Sequence, residues 1–115
     1  LGITTSYLAK AAPKAHISTI EGSANIAQLA KNTFQKLGIS HIDSVIGHFD
    51  DVLDQVLNKR KSWDLIYIDG NHRYEATTRY LDLIKPFLNE NSLVILDDIY
   101  WSKEMTQAWH HACQR

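Results

Sequence analysis

The chain has 115 residues, 44% of them hydrophobic and 22% charged, a balance that suits one globular domain. Its net charge of -1 gives no electrostatic reason to expect nucleic acid or an anionic membrane as partner, and no apolar run is long enough to span a bilayer. The single cysteine, Cys113, rules out an internal disulfide and a cysteine-built zinc site, and it fits a reducing, cytoplasmic compartment.

Residues 3–12 (ITTSYLAKAA) read as a helix that Thr4 or Thr5 caps and Pro13 ends. HISTIEG (16–22) alternates apolar and polar side chains and is β-branched, so it reads as a strand. The helix at 23–38 has Ser23 as cap and Ile26, Leu29, Ala30, Thr33, Phe34 and Leu37 on one face, with Gly38 as its stop. IDSVIG (42–47) is a short strand. DDVLDQVLNKR (50–60) is a helix with acids first and bases last, and Val52, Leu53, Val56 and Leu57 form its stripe. DLIYID (64–69) and SLVILDD (92–98) lack alternation and read as strands buried on both faces. Between them, 72–88 is a helix broken near its end by Pro86. Residues 102–114 form the last helix.

Strands that alternate with helices imply an α/β fold, a Rossmann-like parallel sheet with helices on both faces, as one domain over 1–115. The chain opens on a helix and on Leu1 rather than Met, so a strand is expected ahead of it and the domain reads as truncated.

In such a sheet ligands sit at the carboxyl ends of the strands. Those ends collect Glu21-Gly22, Gly47-His48-Phe49-Asp50, Asp69-Gly70-Asn71-His72 and Asp97-Asp98. An acidic rim of this kind calls for a cation, a cationic ligand or hydroxyl groups. Glu21 has the chemistry to accept the two hydroxyls of a ribose; it is otherwise an exposed acid at a strand end. Asp97 and Asp98 repel one another unless paired or metal-bound, and with Asp69 they make an oxygen-donor set for Mg²⁺, Mn²⁺ or Ca²⁺. Alone, His72 is a surface histidine in a first helical turn; beside Asp69 it becomes a candidate general base. Trp101, directly after the acid pair, has the best claim of the tryptophans to line a pocket. His110 and His111 read as solvated.

The order of elements, with LGITTSYLA, HISTIEGS, GHFDDVL, WDLIYIDGNHRYE and LVILDDIYW, resembles the class I S-adenosylmethionine-dependent methyltransferases. The nearest branch is that of the catechol and caffeoyl-CoA O-methyltransferases. The resemblance implies an enzyme that moves a methyl group from S-adenosyl-L-methionine to an oxygen of a small-molecule acceptor, assisted by Mg²⁺ or another divalent cation. It implies cofactor contacts at Gly2, Thr4, Glu21, Gly22, His48, Phe49, Asp50 and Asp69, metal ligands at Asp69, Asp97 and Asp98, and catalytic roles for Asp69 and His72. This sequence departs from the pattern where His72 stands for a catalytic lysine and Asp98 for an asparagine. The pattern's first strand, its earlier glycines and its last two strands lie outside the sequence. No nucleic-acid or membrane partner is expected, and a homodimer stays open.

Three other classes compete. A nicotinamide-dependent Rossmann enzyme would use Glu21 equally well, and a non-catalytic Rossmann-like binding domain would use the acids only to cap helices. A metallophosphoesterase shares Gly70-Asn71-His72 but lacks the upstream ligand set.

Overall fold

A computed structural model gives the structure of the protein and describes residues 2–114. Its contacts group the chain into two compact units, Leu1–Val56 and Leu57–Arg115.

The first unit runs α1 (Ile3–Ala11), β1 (Ile17–Glu21), α2 (Ala24–Lys36), β2 (Ile42–Ile46) and α3 (Phe49–Leu57). Strands β1 and β2 pair in parallel, from Ile17 opposite Ile42 to Glu21 opposite Ile46. A parallel pair needs a crossover, and α2 supplies it. Both ends of α2 are set by local chemistry. Ser23 Oγ accepts from Ile26 N at 3.4 Å at the start. At the end Gly38, at φ 69°, lets its own N–H reach Gln35 O and Ile39 N reach Phe34 O, a Schellman closure. The core here is Ala9, Phe34 and Ile39, flanked by Ile17, Ala30 and Ile42.

The second unit runs β3 (Leu65–Ile68), α4 (Tyr74–Ile84), a 3-10 turn at Lys85–Phe87, β4 (Leu93–Leu96) and α5 (Lys103–Cys113). Strands β3 and β4 are again parallel, in register from Leu65 opposite Leu93 to Ile68 opposite Leu96. Helices α4 and α5 pack on each other, with Thr77 Oγ1 3.4 Å from Met105 Sδ, and Ala76, Thr77, Tyr80, Ile84, Met105 and Ala108 are their buried residues. Glu104 of α5 also receives Tyr74 N at 3.0 Å and so caps α4, whose own N-cap, Arg73, makes no side-chain cap.

Three local expectations change. Thr4 and Thr5 lie inside α1; its N-cap is Gly2, without a side-chain bond. Helix α3 ends at Leu57, so Lys59, Arg60 and Lys61 fall beyond it and no base sits in its last turn. Strands β3 and β4 are not buried on both faces, since only Ile68 is buried and Leu93 is 57% exposed. Each described sheet has two strands, β1–β2 and β3–β4. Among the described residues no helix is long and apolar enough to cross a membrane.

Candidate functional site

At the carboxyl end of the first sheet, Gly47 N extends the ladder by donating to Glu21 O at 2.9 Å. The Glu21 side chain turns back on its own chain, and Oε1 accepts from Ser23 N at 3.0 Å. The His48 ring lies against Gly22, so that a Cβ there would stand 3.3 Å from Nδ1. His48 O then accepts from Asp51 N and Val52 N, which opens α3 with Phe49 half-buried and Asp50 exposed. Glu21, Gly22 and His48 therefore meet, as the strand ends require. Gly2 and Thr4 stand at the opening of α1. Gly2 has a packing reason of its own: at φ 83° a Cβ would lie 2.9 Å from both Ala30 Cβ and Phe34 Cε1.

At the carboxyl end of the second sheet, two left-handed residues aim the side chains. Asn71 (φ 46°) turns the chain between Asp69 and His72, and Asp98 (φ 54°) turns it after β4. Both are of the short polar types that tolerate this conformation. Asn71 Nδ2 donates to Tyr80 Oη at 3.2 Å, which fastens the first turn to α4.

The turns split the adjacent acids. Asp97 is held on both oxygens: Tyr67 Oη donates to Oδ2 at 2.7 Å, and Asp98 N donates to Oδ1 at 2.7 Å. Asp98 goes the other way, its Oδ2 lying 3.1 Å from His72 Nε2. Asp69 Oδ1 stands 3.6 Å from the same nitrogen. Ligand-type atoms of Asp69, His72 and Asp98 all fall within 4.8 Å of one another, and Asp97 is not among them. Nε2 is buried yet makes no hydrogen bond of sound geometry. The Asp98 oxygen is close, but its approach is not along an N–H direction. Trp101 fixes the imidazole from the side, stacked at 5.0 Å between centroids and 30° between planes, with the indole itself 68% exposed.

The charges follow this geometry. The Tyr67 phenol is pushed up to about 12, first by its bond to Asp97, then by burial and by the negative charges of Asp97, Asp69 and Asp98. The same bond, with that from Asp98 N, holds the Asp97 carboxyl below the usual carboxylate range. Tyr67 was not among the expected site residues. A signal was present, since it is the one hydroxyl in LIYI and lies two residues before Asp69, on the same side of the strand.

Residues 1–99 match a family described as a methyltransferase domain. The chain belongs to this methyltransferase-domain family. A search of curated proteins and a search of solved structures return no match. The match ends just past the Asp97-Asp98 pair, so both strand-end groups of the methyltransferase domain lie inside it. Parallel strand–helix–strand units, as seen in each half, are compatible with a partial Rossmann-like fold.

Proposed function

We propose that this methyltransferase domain transfers the methyl group of S-adenosyl-L-methionine to an oxygen of a small-molecule acceptor. When bound, that cofactor supplies a methyl group activated by a sulfonium. The donor set of the first unit fits it: the Glu21 carboxylate suits ribose hydroxyls, and the half-buried Phe49 beside His48 and Asp50 suits a purine. Gly2 and Thr4 are assigned to the methionine portion.

The observation that carries oxygen as the acceptor atom is the grouping of His72 Nε2 with Asp69 and Asp98. Displacement at a sulfonium needs little from the enzyme beyond placement and a ready lone pair. A hydroxyl offers that pair only once its proton is loosened. The acceptor oxygen bonds to the methyl carbon as the carbon–sulfur bond breaks, its electron pair stays on sulfur, and the hydroxyl proton leaves. Asp69, His72 and Asp98 can assist in two ways. Asp98 can orient His72 as the base that takes the proton, or the group can hold a divalent cation that lowers the hydroxyl pKa.

Calorimetry with S-adenosylhomocysteine and, separately, NAD tests the reading, followed by isotopic methyl transfer to a panel of hydroxylated acceptors. Binding of S-adenosylhomocysteine with labelled oxygen ethers as product is expected. Binding of NAD alone would move the chain to the nicotinamide enzymes, and binding of neither would make it a non-catalytic domain.

A further inference from the structure

We propose that Tyr67 and Asp97 act as one positioning pair: neither meets the acceptor or the cofactor, and together they hold the left-handed turn at Asp98 that sets this acid beside His72. The consequence for turnover rests on the proposed reaction; the geometry does not.

Asp97 is engaged inside the fold at its N–H and at both carboxylate oxygens. Its N–H donates to Ile68 O at 3.0 Å and so continues the β3–β4 ladder past the end of β4. Oδ1 accepts from Asp98 N and Oδ2 from Tyr67 Oη, each at 2.7 Å. Tyr67 and Asp97 are half-buried, whereas Asp98 is exposed.

Register explains why Tyr67 reaches this acid. Tyr67 stands opposite Ile95, and Asp97 follows Ile95 on the same face of the chain. The phenol closes that diagonal. A phenylalanine would have no hydrogen to donate.

The turn needs to be held. Asp98 has φ 54°, a conformation uncommon for a residue with a side chain and kept only where neighbours fix it. Asp97 Oδ1 takes the N–H of Asp98 on one side, and Trp101 N donates to Asp98 O at 3.0 Å on the other. With the backbone fixed in this way, Asp98 Oδ2 lies 3.1 Å from His72 Nε2. Once the phenol is gone, the Asp97 carboxylate can rotate, its hold on Asp98 N loosens, and Asp98 moves off the imidazole. The adjacent acids thus have separate tasks: Asp98 faces the histidine, and Asp97 fixes the turn that presents it.

The test is a double-mutant cycle of Tyr67→Phe and Asp97→Asn. Its readouts are methyl transfer to the best acceptor of the hydroxylated panel and heteronuclear NMR of the His72 ring at one fixed pH, with His72→Ala identifying the ring signals by their loss. Each single variant should lower kcat by about 10- to 100-fold while acceptor KM and S-adenosylhomocysteine affinity stay within about twofold, and each should move the His72 signals. The double variant should be no worse than the poorer single one, because the two residues act as a unit. An Asp97 that met the acceptor directly would behave otherwise: Tyr67→Phe would stay near wild type, and Asp97→Asn would raise KM. Either of those results, losses that multiply in the double variant, or unmoved ring signals in Tyr67→Phe would overturn the assignment. Should Asp97→Asn fail to fold, Tyr67→Phe, which keeps every ring atom, decides alone through kcat and the ring signals. Should wild type methylate no acceptor, the proposed reaction falls and the ring signals decide: shifts shared by the variants sustain the pair, and unmoved signals overturn it.

Discussion

Tyr67 Oη donates a 2.7 Å hydrogen bond to Asp97 Oδ2, reaching from β3 to the residue just past β4. The bond ties together two groups whose titrations move apart. Tyr67 rises from 10.0 to about 12, so its contribution to stability is whole below pH 10 and is lost as pH climbs through about 12. Asp97 sits below its ordinary 3.8, so its contribution is present above that value and is lost as pH falls below it. Phenolate absorbance should show one of the five tyrosines titrating late, and Asp97→Ala should return it to the range of the others. If no tyrosine titrates late in wild type, the bond is not formed in solution.

The Trp101 indole is 68% exposed, so Trp101→Ala should shift the urea midpoint little, by no more than about 0.5 kcal/mol of stability. Its stack on His72 gives the ring its orientation. Metal affinity in Trp101→Ala should therefore fall by about tenfold, the size typical of a lost orienting neighbour. Trp101→Phe keeps a stacking face and should recover most of it. Failure of Phe to rescue would assign the loss to something other than the stack.

Ile84 of α4 and Met105 of α5 are each 1% exposed, whereas Leu93 on β4 is 57% exposed. Ile84→Ala removes methyl groups from a filled space and should cost about 2–5 kcal/mol in chemical denaturation. Leu93→Ala should cost under about 1 kcal/mol, because most of that side chain already meets water. Comparable losses would show that Leu93 is covered in solution.

What the sequence revealed was mostly what neighbours within a few residues decide. Ser23 as cap, Gly38 as stop and Pro86 as the break all act through bonds inside one turn, and each appears where expected. Charge patterning misled where a helix end depended on more than charge: α3 stops at Leu57, short of the bases assigned to it. The division of labour between Asp97 and Asp98 was not readable. It depends on Tyr67, 30 positions away, which only the β3–β4 register brings within reach, and on the left-handed backbone of Asp98. The proximity of Asp69 to His72 was legible from spacing. The turn of Asp98 towards that histidine was not.

Gly47 and Gly22 both border the Glu21–His48 edge, yet their substitutions should differ. Gly47 has φ 154°, and a Cβ would stand 2.6 Å from Val52 Cγ1, so Gly47→Ala should cost about 1–3 kcal/mol of stability. Gly22 has no such backbone, and its nearest neighbour is the ring of the exposed His48 at 3.3 Å, which can move aside. Gly22→Ala should leave thermal unfolding within about 0.5 kcal/mol of wild type and weaken S-adenosylhomocysteine binding. Unchanged binding would remove Gly22 from the cofactor edge.

Glu21 has a structural bond as well as the proposed binding role, and the two separate by choice of variant. Its Oε1 accepts from Ser23 N at 3.0 Å at the entry to α2. Glu21→Gln keeps an oxygen for that N–H and removes only the charge, so stability should change by less than about 1 kcal/mol. Glu21→Ala leaves the N–H without its side-chain acceptor and should cost about 1–3 kcal/mol. Hydrogen bonds from hydroxyls to a carboxylate are worth about 1.5–3 kcal/mol, and 1.4 kcal/mol is about tenfold in affinity. S-adenosylhomocysteine should thus bind Glu21→Gln at least about tenfold more weakly by calorimetry, although the fold is intact. A Gln variant that binds like wild type, beside an Ala variant that only unfolds earlier, would confine Glu21 to the Ser23 turn. The ribose would then need another acceptor.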